Sequence, residues 1–389
     1  MANNNYLMQV HNICDIKLRH YPRKYPIPKF KTRFPFKRNP IDITVADTDK
    51  LHQWLYKQFP TSYISAENYR KLAINSVLIT AYFYPLCHLK DRYYHILQHM
   101  IYFFVMDDNT EEPWGRLNSM DNMDECRRVW AQVKTLVANI SSCGGHQISS
   151  SISSPALDDD VDRMEPYVQI IRPTFTNIYQ SLNGQQWLRF ADSWLDYCTA
   201  NVEENQTKGQ QRFVSVNQML NLRRKTIGLI PTVLSLEYAY NIEIHESEWL
   251  DPRMQLLLQL LNDHIIYIND LFSFEKELKS NIIVKSNTMG TGSHHSLVDD
   301  RQVLPQMANT VAQTAVELNC SIPDAQTVIC KRIEQLEIEM IKLVVDWEQS
   351  SCNNGQSLSP GVRQFIRGQL YMPGGNYRFS LGVDRYNKF

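Results

Sequence analysis

Residues 251–277, DPRMQLLLQLLNDHIIYINDLFSFEKE, decide how the rest of the chain is read. Asp251 and Pro252 supply an N-cap and a first-turn proline. Leu256, Leu257, Leu260, Leu261, Ile265, Ile266, Ile268 and Leu271 then leave almost no polar face, the pattern of a helix buried at the centre of a bundle. Into that apolar rod the sequence sets Asn269, Ser273 and Glu277. Steps of four place an amide, a hydroxyl and a carboxylate on one stripe, about 12 Å long at 1.5 Å rise per residue. Three oxygen groups are costly to bury unless they hold something, and hard oxygen donors in a row suit a divalent cation. The other reading of the same three residues is an ordinary polar stripe.

Working outward, helical periodicity continues on both sides. Leu72, Ala73, Val77, Leu78 and Ala81 follow Ser65 and Asn68 as a capped helix would, and Tyr93 to Met106 is almost wholly apolar and aromatic. Downstream, Val328, Ile329, Ile333, Leu336, Met340, Leu343, Val344 and Trp347 recur at three- and four-residue steps. No β alternation, no solenoid repeat and no linker between two cores is visible. The fold class is therefore all-α: one helical domain over residues 46–389, preceded at residues 1–45 by a basic arm punctuated by Pro22, Pro26, Pro28, Pro35 and Pro40, in which no helical period survives. That arm reads as a solvated extended segment, or as a strap folded over an anionic site. Two stretches read as loops: 141–160, rich in Ser and Gly at its start, and 281–300, with Gly290, Gly292, His294 and His295. The second directly follows Glu277 and has the place of a mobile lid.

A second group of acids closes the aromatic run. Asp107, Asp108 and Glu111, at spacings of one and four, project from one side of a helix end and offer the same hard oxygens. A DDxx(D/E) match alone carries little weight, and Asp158, Asp159 and Asp162 show why. They fit the same pattern but follow the Ser/Gly loop with no apolar helix before them, where aspartates at a turn or helix N-terminus are expected. Arg224, in NLRRKTIG, is a planar, permanently charged fork suited to phosphate, and Gly228 and Pro231 beyond it allow a helix break whose carbonyls face a cavity. At the far end, FSLGVDRY offers the Arg385 guanidinium and the Tyr386 phenol for the same purpose.

Composition excludes more than it selects. Lys+Arg number 40 against Asp+Glu 41 in 389 residues, so no global field points to nucleic acid or to an anionic membrane surface. The eight cysteines stand without CxxC or Cys/His ligand spacing and read as reduced thiols. The start MANNNYLMQV lacks the features of a signal peptide, and no run of about 18 apolar residues occurs, so a cytoplasmic protein without a transmembrane segment is expected.

Taken together and in this order, DDNTE, NLRRKTIG, NDLFSFEKE and FSLGVDRY resemble the class I terpene cyclases of the single-domain type found in microbes, amoebae and octocorals, over most of the chain from Tyr93 to Tyr386. That resemblance implies a helical bundle around a central active-site cavity. It implies Mg²⁺, in a cluster of three ions for which Mn²⁺ can substitute, held by Asp107 with Asp108 and Glu111 on one side and by Asn269, Ser273 and Glu277 on the other. Arg224, Lys276, Arg385 and Tyr386 would bind diphosphate, and Gly228 would sit at the helix break. Phe103, Phe104 and Phe272 are candidates for the aromatic lining that shields a carbocation. The expected substrate is geranylgeranyl or farnesyl diphosphate, cyclised to a di- or sesquiterpene, and homodimers are frequent in the family. Glu111 in place of the commoner Asp, Phe379 in place of Trp and Ile227 where some members carry an acid are the departures. A prenyl chain-elongating synthase and a non-catalytic isoprenoid-binding protein are the competing readings; the first is expected to carry a second aspartate-rich motif where this chain has NDLFSFEKE.

Overall fold

The side chain of Asp251 accepts a hydrogen bond from the backbone N–H of Arg253 at 2.8 Å and so starts the longest helix of the protein. The computed structural model describes residues 23–41, 45–58, 66–111, 123–142, 166–207, 213–288, 300–353, 357–383 and 386. In chain order its helices are α1 (Val45–Gln58), α2 (Ala66–Phe83), α3 (Lys90–Glu111), α4 (Met123–Ser142), α5 (Pro166–Ser181), α6 (Gly184–Thr207), α7 (Val216–Thr226), α8 (Leu229–Tyr240), α9 (Glu246–Trp249), α10 (Pro252–Thr288), α11 (Thr310–Glu317), α12 (Ile322–Asn353) and α13 (Pro360–Gly382). No strand occurs among the described residues, and the all-α reading holds. No described helix is long and apolar enough to cross a membrane.

Helix α10 is the axis. It packs against α12 and α13 on one flank and against α11, α7 and α8 on the other, which is why its sequence is apolar nearly all round. Helices α2, α3, α6, α7, α8 and α13 complete the lining of the cavity with α10, while α5 packs on α3 and α4 packs on α5 and α6. A single buried core runs from Phe30 to Tyr386 through all of these layers.

Two expectations need correcting. Residues 281–288 are helix, not the start of a loop: Ile282 packs against the core and Asn281 Nδ2 donates to the Glu277 carbonyl at 2.9 Å, so α10 persists for about three turns past Glu277. Residues 289–299 of that loop, and residues 143–160 of the other with its three aspartates, lie outside the described residues. The second correction concerns the arm. Over residues 23–41 it is a packed strap, with Phe30, Phe34 and Asn39 buried. Its extended backbone leaves N–H and C=O groups that the bundle satisfies: Tyr377 Oη donates to Phe30 O at 2.9 Å, and Asn39 Nδ2 donates to the Tyr84 and Cys87 carbonyls at 2.6 and 2.9 Å.

The strap lies so close to α13 that a Cβ on Gly374 would come within 2.5 Å of the Pro35 carbonyl oxygen. Only glycine admits that approach. Glu337, wholly buried on α12, accepts from Thr32 Oγ1 at 2.6 Å and from Arg33 N at 2.7 Å and sits 3.1 Å from His264 Nε2. Burial pushes its carboxyl up, but the hydrogen bonds from His264, Thr32 and Arg33 outweigh that and hold it below the ordinary value.

Candidate active site

Helix α7 begins at Ser215, whose side chain caps Gln218 N at 3.1 Å, and ends at Thr226. Ile227 closes its last turn, and Gly228 then takes the left-handed conformation, φ +72°, before α8 starts at Leu229. This is the helix break expected from the sequence. Pro231 falls in the first turn of α8, where its missing N–H has no helical partner to lose. The Gly228 carbonyl accepts the Thr232 hydroxyl at 2.8 Å, and a Cβ on Gly228 would stand 3.0 Å from Phe103 Cε1. Gly228→Ala is accordingly expected to lose ~1–2 kcal/mol from the backbone alone, with the Phe103 ring displaced, as read by urea unfolding. An unchanged midpoint would mean that the break tolerates a side chain.

Around this break lies a cavity of about 910 Å³, counted to its open mouth. Its inner wall is apolar and aromatic: Ile79, Phe83, Met100, Phe103, Phe104, Tyr197, Leu229, Ile265 and Phe379. Its polar side carries Asp107, Arg223, Asn269, Ser273, Lys276, Glu277 and Tyr386. Asp107, on the last turns of α3, and the stripe on α10 therefore line the same space, the arrangement that the resemblance implied. The backbones of Asp108 and Glu111 continue α3, but their side chains lie outside the described residues, as does Arg385. Among the described residues no three His, Cys, Asp or Glu side chains converge. The donor set is a mixed one, with one aspartate from α3 facing an amide, a hydroxyl and a carboxylate from α10.

The hydrogen bonds orient those donors. Asn269 Nδ2 donates to Tyr386 Oη at 2.8 Å, which turns the amide so that its oxygen, at a long 3.4 Å from Arg223 Nη2, keeps a lone pair for a cation. Ser273 Oγ donates to Glu277 Oε1 at 2.5 Å, which keeps the lone pairs of the hydroxyl available. Hard oxygens set out in this way fit a divalent ion of the magnesium type.

The sequence reading gave the phosphate-binding role to Arg224; the structure turns Arg223 into the cavity instead. Arg224 does not line it. Its fork is taken by Asp263, with Nε 2.6 Å from Oδ1 and Nη2 2.9 Å from Oδ2, and its Nη1 donates to Asn221 at 2.8 Å. Neighbouring residues on a helix point about 100° apart, so only one of the pair can face the cavity. Arg223 Nη2 donates to Asp270 Oδ1 at 2.9 Å and stands 3.4 Å from Asn269 Oδ1. Burial pushes the Asp270 carboxyl up, and the Arg223 guanidinium and the Thr310 N–H oppose it.

The aromatic candidates divide. Phe103 and Phe104 line the cavity, and Phe103 is fixed by a stacked Trp194 at 4.7 Å and an edge-on Tyr197 at 5.1 Å between ring centres. Phe272 does not line it. One step of 100° before Ser273, it faces Tyr377 and the strap, where Arg23 Nη1 donates to its carbonyl at 3.2 Å and Nη2 to the Tyr386 carbonyl at 2.7 Å. The spacing gave no sign of Phe83, Tyr197 or Thr232, which lie on other helices and meet only in the fold.

Comparison with known proteins adds a family. Residues 98–338 match the family model described as terpene synthase family 2, C-terminal metal binding. Pristinol synthase of Streptomyces pristinaespiralis is 24% identical over 201 residues, covering 52% of this chain and 48% of that protein. The 4-epi-cubebol synthase ((2E,6E)-farnesyl diphosphate cyclizing) of Streptosporangium roseum is 24% identical over 144 residues, covering 36% of this chain and 43% of that one. The chain thus spans about half the length of these two relatives or less. A crystal structure of a-eudesmol synthase superposes with a TM-score of 0.67 at 16% identity, over 91% of this chain and 99% of the other, so the fold is shared.

Proposed function

The chain belongs to terpene synthase family 2, whose model it matches over residues 98–338, and on that footing we propose that it is a Mg²⁺-dependent class I terpene cyclase that ionises a linear prenyl diphosphate and closes the resulting carbocation into a ring. One observation carries the reading: a single cavity is lined by Asp107 from one helix and by Asn269, Ser273 and Glu277 from another, and most of its remaining lining is apolar or aromatic. That two-sided polarity matches a substrate with a charged head and a hydrocarbon tail.

Asp107 with Asp108 and Glu111, and Asn269, Ser273 and Glu277 opposite, would hold three Mg²⁺ ions, which supply positive charge against the leaving diphosphate. The residues of the chain do the rest. Arg223, Lys276, Tyr386 and Arg385 bind the diphosphate oxygens and stabilise the charge that develops as the carbon–oxygen bond breaks and its electron pair leaves with the diphosphate. Tyr386 accepts from Asn269 Nδ2 at 2.8 Å, which holds its phenol beside the stripe on α10. The allylic cation then lies against Phe103, Phe104, Phe379 and Tyr197, whose ring faces stabilise positive charge. A substrate π bond attacks the cation to form the ring, and a proton is lost to finish the hydrocarbon. The apolar wall keeps water from quenching the cation.

Farnesyl and geranylgeranyl diphosphates are both proposed substrates, and the farnesyl-cyclising name of the Streptosporangium relative supports testing the C15 chain first. Purified protein with Mg²⁺ and geranyl, farnesyl or geranylgeranyl diphosphate is expected to release diphosphate and yield cyclic hydrocarbons by gas chromatography. No product from any of the three, or only longer prenyl diphosphates when isopentenyl diphosphate is added, would overturn the assignment.

A further inference from the structure

Just before α11, two consecutive residues reach back to α10. Asn309 has extended backbone, φ −138° and ψ 131°, and is the N-cap of α11: its Oδ1 accepts from Val311 N at 2.9 Å and from Ala312 N at 3.4 Å. The other half of the same amide does different work. Nδ2 donates to Glu277 Oε2 at 2.9 Å and to the Asp270 backbone carbonyl at 3.0 Å. Thr310 N, one residue on, donates to Asp270 Oδ2 at 2.7 Å, the carboxylate whose other oxygen takes Arg223. Both Asn309 and Thr310 are completely buried. Neither appears in any of the four motifs.

An N-cap needs only an oxygen acceptor, and Ser, Thr and Asp serve as well as Asn. What Asn alone adds at residue 309 is a donor, and the donor is spent on Glu277. A glutamate side chain has three torsions to fix, and the ordering cost falls on cation binding unless something has fixed them first. Ser273 holds one carboxylate oxygen of Glu277 and Asn309 the other, so the group is set before any ion arrives. The same amide, through the Asp270 carbonyl, fastens this carboxylate to the turn of α10 that braces Arg223.

We propose that Asn309 is a positioning residue that pre-orients Glu277 for the divalent ion and, together with Thr310, ties that carboxylate to the Arg223–Asp270 pair, so that the cation and diphosphate ends of the site are braced by the first turn of α11. The proposal rests on the reading of the site given above. It acts through Glu277 and Asp270; nothing in it requires Asn309 to touch substrate.

The test uses the full chain and a readout apart from turnover: isothermal titration with Mn²⁺ or Mg²⁺ in the presence of inorganic diphosphate. Asn309→Ser and Asn309→Asp keep the capping oxygen and lose the amide donor. Both are expected to bind the ion ~10–100-fold more weakly, the effect of losing the partner of a metal ligand; Asn309→Ser is expected to melt close to the wild type, and Asn309→Asp, a second carboxyl buried against Glu277, to melt lower. Asn309→Asp, which sets a second carboxyl against Glu277, shows the larger loss at pH 8. Glu277→Gln is the reference and is expected to lose the ion altogether. If Glu277→Gln abolishes ion uptake while Asn309→Ser binds as the wild type does, Asn309 is merely a helix cap and the proposal falls, with the functional reading intact. If Asn309→Ser is poorly folded, Asn309→Thr, which also keeps a capping oxygen and loses the amide, decides by the same comparison. If neither Glu277→Gln nor the Asn309 variants change ion uptake, the metal assignment of α10 falls as well.

Discussion

Turnover of prenyl diphosphate is expected to fall by more than ~100-fold in Asp107→Ala and, separately, in Asn269→Ala, with helicity by circular dichroism unchanged in both. The size follows from position. Loss of a partner behind a metal ligand typically costs 10–100-fold, and loss of a ligand itself exceeds that. The two residues sit on α3 and α10 and line one cavity, so neither can substitute for the other. Both sites tolerate the truncation structurally: Asp107 and Asn269 are only partly buried, and Asn269→Ala gives up a hydrogen bond to Tyr386 worth ~1 kcal/mol. A variant of either that kept wild-type turnover would show that the ion is held elsewhere.

The second large effect separates two neighbours. Arg223→Lys is expected to lower turnover by ~100-fold or more, because lysine keeps a positive charge beside Asp270 but cannot present a planar fork to Asp270 and a diphosphate together. The choice of lysine matters. Arg223→Ala would leave the wholly buried Asp270 uncompensated and cost ~3–5 kcal/mol of stability, confounding the result. Arg224→Lys, by contrast, is expected to change turnover by less than about threefold, since Arg224 spends its fork on Asp263 at 2.6 and 2.9 Å outside the cavity. Equal losses in the two would mean that both guanidiniums reach the diphosphate.

What could be read in the sequence and what could not divide along physical lines. The stripe of Asn269, Ser273 and Glu277 was legible because an apolar helix makes polar exceptions conspicuous, and the four-residue step places them on one face without any knowledge of tertiary contacts. Gly228 was legible as a break because it combines with a nearby proline. The phosphate role was given to Arg224 and not to Arg223 because two adjacent arginines look alike in sequence until the orientation of the helix is known. Phe272 was drawn into the lining by proximity in sequence to Asn269, whereas one residue along a helix turns a side chain by about 100°.

Asn309 was invisible for another reason. An asparagine ahead of a short apolar helix is an ordinary cap, and its second role depends on a contact 32 residues back along the chain. The strap was half legible: proline-rich and basic, it reads as solvated or as folded over the site, and what decides is that Phe30 and Phe34 carry apolar surface to bury and Gly374 on a distant helix leaves the room.

The central claim is that α3 and α10 grip one ion cluster between them, with the diphosphate bridged to Arg223. A crystal structure of the protein grown with Mg²⁺ and inorganic diphosphate tests it directly. The account predicts metal density ligated by Asp107 on one side and by Asn269, Ser273 and Glu277 on the other, with a diphosphate between them and Arg223 in contact. Diphosphate bound with Arg224 instead, or ions that bypass either helix, would contradict it.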